Sequence, residues 1–254
     1  MTRITTIAAA MTLLPCVALA QSAGTVIEQA SEYRYQLDLA VNPAALAKFL
    51  PAGWEAAPAA AGPAKDCNLR LIFIDRITVN GPDNKAIGSD RLAYLAAPVK
   101  QTSGTATGQM IIAGISQNNP DAPGAFGALV KASRVKAARN TTDDNGTVTV
   151  TEDWDFAAAS GEHMQLYVKY VRAPANRSTG ETRFYNPADP TQSRIFRTET
   201  ATDITRNVTT TPPDRVREFS FSAGGGRIAP LFDGSEKPLS WDAQPSYQRA
   251  VVMP

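Results

Sequence analysis

Apolar and polar positions alternate with period two over residues 67–79. Cys67, Leu69, Leu71, Phe73, Asp75, Ile77 and Val79 fall on one face, and Asn68, Arg70, Arg76 and Thr78 on the other. That is the period of a strand rather than a helix. Ile72 and Ile74 share the more polar face, so both sides expect partial cover. Residues 147–156 alternate likewise, with Val148, Val150, Glu152, Trp154 and Phe156 together, and Met164, Leu166, Val168 and Tyr170 line a following strand. Further strands are predicted over 92–99, 110–116, 194–208, 216–221 and 227–232. Asn80-Gly81-Pro82-Asp83-Asn84 and Asn145-Gly146 supply turns between them.

Helical signals are few. Asn42 as N-cap, Pro43 at the first helical position and Pro51 as the stop bracket the run AALAKFL. The Ala/Pro/Gly-rich stretch 56–65 reads as a flexible surface loop. Within 121–139 the first half, PGAFGAL, reads as helix, and the second half is open between helix and strand. Gly224-Gly225-Gly226 reads as a hinge or tight turn, since no G-K-[ST] follows. The pattern predicts a mainly β protein, with a large antiparallel β-barrel or β-cone, a few short helices and a single domain over residues 21–254.

Residues 1–20 read as a removable leader. Arg3 is the positive start, an apolar stretch follows, and Ala18-Leu19-Ala20 is the cleavage signal before Gln21. The expected location is therefore secreted or periplasmic, without a membrane span. Lys+Arg 25 against Asp+Glu 24 gives a net charge of +1. Losing Arg3 leaves the two signs balanced, which argues against a nucleic-acid partner, because phosphate neutralisation needs a basic surplus. Cys67 is the one cysteine beyond the leader, so no intramolecular disulfide forms, and its strand setting makes it a buried, inert thiol. A single histidine, His163, read as exposed, argues against a His-rich metal site and a histidine-based nucleophile. No metal or cofactor is expected, and the expected partner is a small molecule.

Asn42 to Glu55, N-P-A-A-L-A-K-F-L-P-A-G-W-E, is similar to a segment of the acetoacetate decarboxylase-like superfamily, in which a short helix ending in Leu-Pro-x-Gly leads into a long strand. The strand LAYLAAPVK, a further strand, an Asn/Asp turn and then Gly127-Ala128-Leu129-Val130-Lys131 follow in the same order. The family has Gly-Phe-Pro-Lys-Lys or close variants at the last position. The resemblance spans roughly residues 33–251. It implies a β-cone or closed barrel with an apolar interior, and a lysine, Lys131 here, that forms a Schiff base with an oxo acid. A lysine amine attacks a carbonyl only when neutral, so its pKa must be lowered from about 10.4 by burial or a second cation. Ala132 stands where the family has its second lysine, which leaves burial alone to do this. Asp90 occupies roughly the place of the family's acidic residue.

Glu152, on an apolar face between Val150 and Trp154, reads either as a general acid/base or as a carboxylate paired with an arginine. Arg34, between Tyr33 and Tyr35, reads either as an anchor for a substrate carboxylate or as a cation stacked on tyrosine. The apolar faces bring Phe73 and Trp154 forward as substrate-contacting residues. Lys131, Glu152 and Asp90 are thus the catalytic candidates, and Arg34, Phe73 and Trp154 the binding candidates. Two functions follow: a Schiff-base lyase acting on a small oxo acid or carbonyl compound, or a non-catalytic exported binder of a small hydrophobic ligand in the same cavity. The leader reading has its own test. The exported protein should have an intact mass that starts at Gln21 and should migrate identically with and without reductant.

Overall fold

The computed structural model describes residues 24–210 and 214–254, so the leader lies outside the described residues. Twelve strands, β1 (Thr25–Ala40), β2 (Trp54–Ala56), β3 (Leu69–Asn80), β4 (Ala86–Gln101), β5 (Thr107–Ser116), β6 (Leu129–Asp144), β7 (Thr147–Ala158), β8 (His163–Val171), β9 (Asn176–Tyr185), β10 (Ser193–Asn207), β11 (Val216–Gly224) and β12 (Lys237–Met253), form one continuous sheet. Its order β5-β9-β10-β12-β1-β3-β4 returns to β5 through the β4–β5 pairing, so seven strands close into a ring. The strands β6-β7-β8-β11 continue from the far end of β5 as a four-stranded arm.

Alternation decides what each ring strand sends where. On β1, Tyr33, Tyr35, Leu37 and Leu39 join a core that also holds Leu71 and Phe73 of β3 and Val150, Trp154, Phe156, Leu166 and Val168 of the arm. This core is the seam between arm and ring. The opposite faces of the ring strands look inward, where Ile72, Ile74, Tyr94, Ile111, Phe184, Phe196 and Val251 make a second cluster. Between and beyond those apolar residues the interior holds Glu28, Glu32, Arg34, Asp38, Arg76, Asp242 and Arg249, all buried. The interior is therefore part apolar and part charged, not wholly apolar as the resemblance implied.

Irregularities in the ladders set this parity. Ser31 pairs with Thr78 but Glu32 pairs with Arg76, so Ile77 is left over as a bulge. That explains why Ile77 is exposed although the alternation placed it with Leu71 and Phe73. On β12, Gln244 faces Arg34 and Tyr247 faces Glu32, with Pro245 and Ser246 between. Proline cannot donate to a ladder and marks such a bulge. The three-residue step lets Asp242, Gln244, Tyr247 and Arg249 all look inward.

The helix α1 (Pro43–Ala47) starts as predicted, with Asn42 Oδ1 accepting from the N–H of Ala44 and Ala45, but it ends at Ala47 and the chain reaches Pro51 through turns. Asn145 and Gly146, both at positive φ, turn β6 into β7. No helix forms in 121–139: its first part is a series of turns, and its second begins β6. Residues 227–232, expected as a strand, lie largely in a short 3-10 helix, Gly226–Leu231. Its entry through Gly224, Gly225 and Gly226, all at positive φ, satisfies the turn reading, and a Cβ on Gly225 would collide with the Gly161 carbonyl oxygen. The 56–65 loop is not merely a surface segment. Asn207 Nδ2 donates to the Pro63 carbonyl at 2.7 Å, tying the loop across the ring. Strands β1, β2, β9 and β12 were not singled out in the sequence.

Leu71 is fully buried in the seam, whereas Ile77 is 60% exposed. Leu71→Ala should therefore lower unfolding free energy by about 2–5 kcal/mol, and Ile77→Ala should change it by less than about 0.5 kcal/mol. Denaturant titration of the two variants measures both.

Candidate functional site

All seven ring strands contribute to the wall of a cavity of about 300 Å³ inside the ring. Arg34, Gln36 and Asp38 enter from β1, Arg70 from β3, Tyr94 from β4, and Asp242, Gln244 and Tyr247 from β12; Pro63 and Ala64 of the tethered loop complete it. A larger depression of about 680 Å³ crosses β1, β3, β9, β10 and β12, but Arg249 is its only buried charged side chain. The concentration of buried, convergent charge makes the smaller cavity the candidate site.

One end of the cavity rests on a buried ion network. Arg34 Nε donates to Glu32 Oε2 at 2.7 Å, and Arg34 Nη2 lies 2.5 Å from the same oxygen. Arg249 Nη2 lies 2.9 Å from Glu32 Oε1 and 3.1 Å from Glu28 Oε1, and Arg76 Nη2 lies 2.5 Å from Glu28 Oε1. Three arginines thus face two glutamates. Burial alone would raise the Glu32 carboxyl, but Arg249, Arg34 and Arg76 outweigh it and hold it at about 2. Burial also disfavours the Arg34 charge, and Glu32 more than restores it. The Arg34 guanidinium stacks 3.5 Å over the Tyr247 ring, and Nη1 reaches the Tyr94 hydroxyl only at 3.4 Å. A guanidinium has five N–H donors. Arg34 directs its strong bonds to one carboxylate oxygen, and its remaining donors border the cavity.

The other end is acidic. Asp38 lies 3.4 Å from Arg70 Nε and accepts from Gln36 Nε2 at 2.8 Å. Asp242 accepts from the Ser240 hydroxyl at 2.6 Å. Burial, with the neighbouring Asp38, pushes Asp242 up to about 7. Burial raises Asp38 too, against Arg70. Cys67, beside this end, is a free buried thiol pushed up to about 12 by burial and by Asp38, which fits the inert reading.

The expected site residues do not converge. Arg34 is in the cavity. Its stacking partner is Tyr247 across the ladder, not the flanking tyrosines. Glu152, Trp154 and Phe73 come together, but in the seam between arm and ring. There Glu152 is fully buried; Tyr33 donates to its Oε1, Tyr170 donates to the same oxygen at 2.9 Å, and Trp154 Nε1 donates to Oε2 at 3.0 Å. Arg139 lies 4.0 Å away, over the Tyr33 ring. Burial raises the Glu152 carboxyl against these partners. The setting has both the general-acid signature and the arginine partner that the sequence left open. Phe73 and Trp154 pack on each other there, with ring centroids 6.0 Å apart, and line no cavity wall of the ring. Asp90 accepts from Ser116 Oγ at 2.7 Å and from the Asn118 N–H at 2.9 Å, so it fastens the turn after β5.

Lys131 lies apart from the cavity. It stands on β6, outside the ring, opposite Ser116, and it is exposed and forms no ion pair among the described residues. Leu129, two residues earlier, is still buried among the interior residues. The chain leaves the ring between those two positions. None of the eight lysines is buried and none lines the ring cavity. The residues that do line it, Asp38, Arg70, Asp242, Gln244 and Tyr247, were missed. Their signal was the run Glu32-Arg34-Gln36-Asp38 alternating with Tyr33, Tyr35, Leu37 and Leu39. That run has one polar face and one aromatic-aliphatic face, and ring closure turns the polar face inward. Among the described residues no three His, Cys, Asp or Glu side chains cluster as metal ligands would, and no helix is long and apolar enough to cross a membrane.

No family model and no curated protein matches the sequence. Solved structures do match the fold. An acetoacetate decarboxylase-like enzyme from Sphingomonas wittichii RW1 is 14% identical, with a TM-score of 0.53 over 97% of this chain and 99% of that one. The enduracididine biosynthesis enzyme MppR is 11% identical, with a TM-score of 0.53 over 91% and 87%. The same enzyme complexed with pyruvate has a TM-score of 0.51 at 11% identity over 93% and 91%. The chain has an acetoacetate decarboxylase-like fold.

Glu32, in the ion network behind Arg34, and Asp242, on the cavity wall, move in opposite senses with pH. Glu32 is depressed in the folded state, so its contribution is complete above about pH 4.3 and is lost as pH falls toward 2. Asp242 is raised, so the folded state binds the extra proton between about pH 4 and 7 and stability falls as pH rises through that window. Asp242→Asn should therefore leave the melting temperature nearly unchanged at pH 4 and raise it at pH 8. Thermal unfolding scans across pH measure this.

Proposed function

We propose that this chain uses its acetoacetate decarboxylase-like ring to bind a small organic anion without forming a covalent bond to it. The observation that carries this reading is Arg34: a buried guanidinium, held in place by Glu32 and Tyr247, with donors left over at the wall of a polar cavity inside the ring. A carboxylate would complete its hydrogen bonding in a charge-assisted, bidentate manner. The reading corresponds to the binding alternative, with a polar ligand in place of a hydrophobic one, because the cavity walls are charged.

The lyase alternative draws its support from the fold it shares with decarboxylase-like enzymes. It requires an amine inside the cavity, and the cationic residues there are arginines. A guanidinium cannot lose its proton in a protein, so it cannot form an imine. We further propose that binding takes place after export, in the secreted or periplasmic space, on the strength of the leader at residues 1–20 with its Ala18-Leu19-Ala20 signal.

Calorimetric titration with pyruvate and a set of short carboxylic acids tests the binding. At least one should bind, and Arg34→Lys, which keeps the charge beside Glu32 but loses the planar fork, should weaken it by roughly tenfold or more. Borohydride added with pyruvate should leave the intact mass of the protein unchanged. A reduced adduct on any lysine would overturn the non-covalent reading and restore the lyase.

A further inference from the structure

We infer that the occupant of the ring cavity is a zwitterion, a small amino acid or other amino-carboxylate, lying with its carboxylate at Arg34 and its ammonium group at Asp242 and Asp38. The inference rests on the anion-binding reading of Arg34 and adds the identity of the far end of the ligand.

The cavity is electrically two-ended. Around Arg34, three arginines stand against two glutamates, an excess of one positive charge in a buried region. Around Asp242, two aspartates stand against the single Arg70, an excess of one negative charge. Asp203, the next carboxylate toward Asp242, is already held by Arg215 at 2.5 Å. A buried charge without a partner is strongly unfavourable. A ligand with one charge of each sign offsets both excesses, whereas a monocarboxylate answers only the first and a dicarboxylate sets a second anion against the aspartates.

A second observation is made on the wall opposite Arg34. Gln244 lines the cavity with 8% of its surface exposed, and its Oε1 has no hydrogen-bond partner among the described residues. On the ladder it stands opposite Arg34, and Asp242, two residues earlier, stands opposite Gln36. The unanswered group is an acceptor, so it calls for an N–H donor from the occupant. Along β1, Arg34 and Asp38 are four residues apart, about 13 Å at roughly 3.3 Å per residue, and Asp242 lies at the intermediate rung. The volume of about 300 Å³ suits a small ligand.

The protonation of the acidic end follows the same logic. Asp242 is faced by Asp38 on β1, Arg70 on β3, Asp203 on β10 and the Ser240 hydroxyl on its own strand; β5 and β9 bring no charged side chain to the cavity, and β4 brings only the phenol of Tyr94. With no cation in place, burial and Asp38 favour a proton on Asp242 up to about pH 7. An arriving ammonium group takes over the role of that proton, which leaves to solvent. Binding therefore releases up to one proton at pH 6 and none at pH 8, and affinity increases with pH until about 7.

Glycine, 4-aminobutanoate and 6-aminohexanoate should be titrated calorimetrically beside acetate, butanoate and hexanoate, at pH 6 and pH 8. Each titration is repeated in two buffers of different ionisation enthalpy. We expect at least one amino acid to bind tenfold or more tightly than its amine-free counterpart, with proton release at pH 6 only. Asp242→Asn should bring the pair to within about threefold, mainly by weakening the amino form, and should remove the proton release. If the amine-free acids bind as tightly as their amino counterparts in the wild-type protein, the zwitterion is overturned and anion binding at Arg34 stands. If neither series nor the pyruvate set binds, both readings are overturned. The wild-type comparison needs no variant to fold, so it decides the matter even if Asp242→Asn proves unstable.

Discussion

The Glu32 carboxylate organises the interior of the ring. It lies beside Arg34 of its own strand and Arg249 of β12, with Arg76 Nε of β3 3.5 Å from it, so three adjacent strands are linked through one residue. Taking ions out of water costs several kcal/mol each, and only close pairing offsets that. Without Glu32 three guanidiniums would face Glu28 alone inside a closed wall. The network is therefore self-consistent only as a unit. The same pairing that makes burial tolerable fixes Arg34 over Tyr247, so the guanidinium is held in one orientation at the cavity wall.

That network exists only because the ladders are irregular. A strand without interruption alternates its side chains, and Asp242 and Gln244 would then share a face with Ser246 and Gln248, not with Tyr247 and Arg249. The extra residue around Pro245 reverses the parity, and the corresponding bulge at Ile77 leaves Arg76 paired with Glu32 across the ladder. The bulges also tighten local twist, which a sheet of seven strands needs in order to close. Closure and chemistry thus come from the same few positions. An exposed isoleucine and a proline inside a strand are the visible marks of both.

Much of the β architecture was legible in the sequence, because the seam between arm and ring follows simple alternation. Leu71, Phe73, Val150, Trp154 and Leu166 are buried on the faces their spacing assigns. The Asn42-Pro43 helix start and the Asn145-Gly146 turn were legible for local reasons of capping and positive φ. The site was legible only at Arg34. A polar face directed into a closed ring has the same sequence pattern as one directed to solvent, so Asp38 and Arg70 gave no local sign of burial. Asp242 and Gln244 lie in a strand whose parity changes midway, which defeats a periodicity argument. Residues 121–128 failed for another reason: small residues and glycines there satisfy helix spacing, yet Phe126 and Gly127 take positive φ and lead straight into β6.

Shared fold and shared chemistry separate at the rim of the ring. In this chain the lysine that matches the family segment falls on β6 just after Leu129, where the backbone has passed from the ring to the arm. The cations that remain inside are arginines, and the distinction is chemical, not only positional. A buried lysine can lose its proton and become a nucleophile, whereas a buried arginine keeps its charge through the whole physiological range. Fixed cations hold an anion in place and stabilise it, but they form no bond to it and accept no proton from it. The cavity group poised to exchange a proton near neutral pH is the Asp242 carboxyl, beside Asp38 at the opposite end from Arg34. One end of the cavity thus carries a charge that stays fixed and the other a charge that titrates, and the fold that encloses them does not by itself decide between recognition and catalysis.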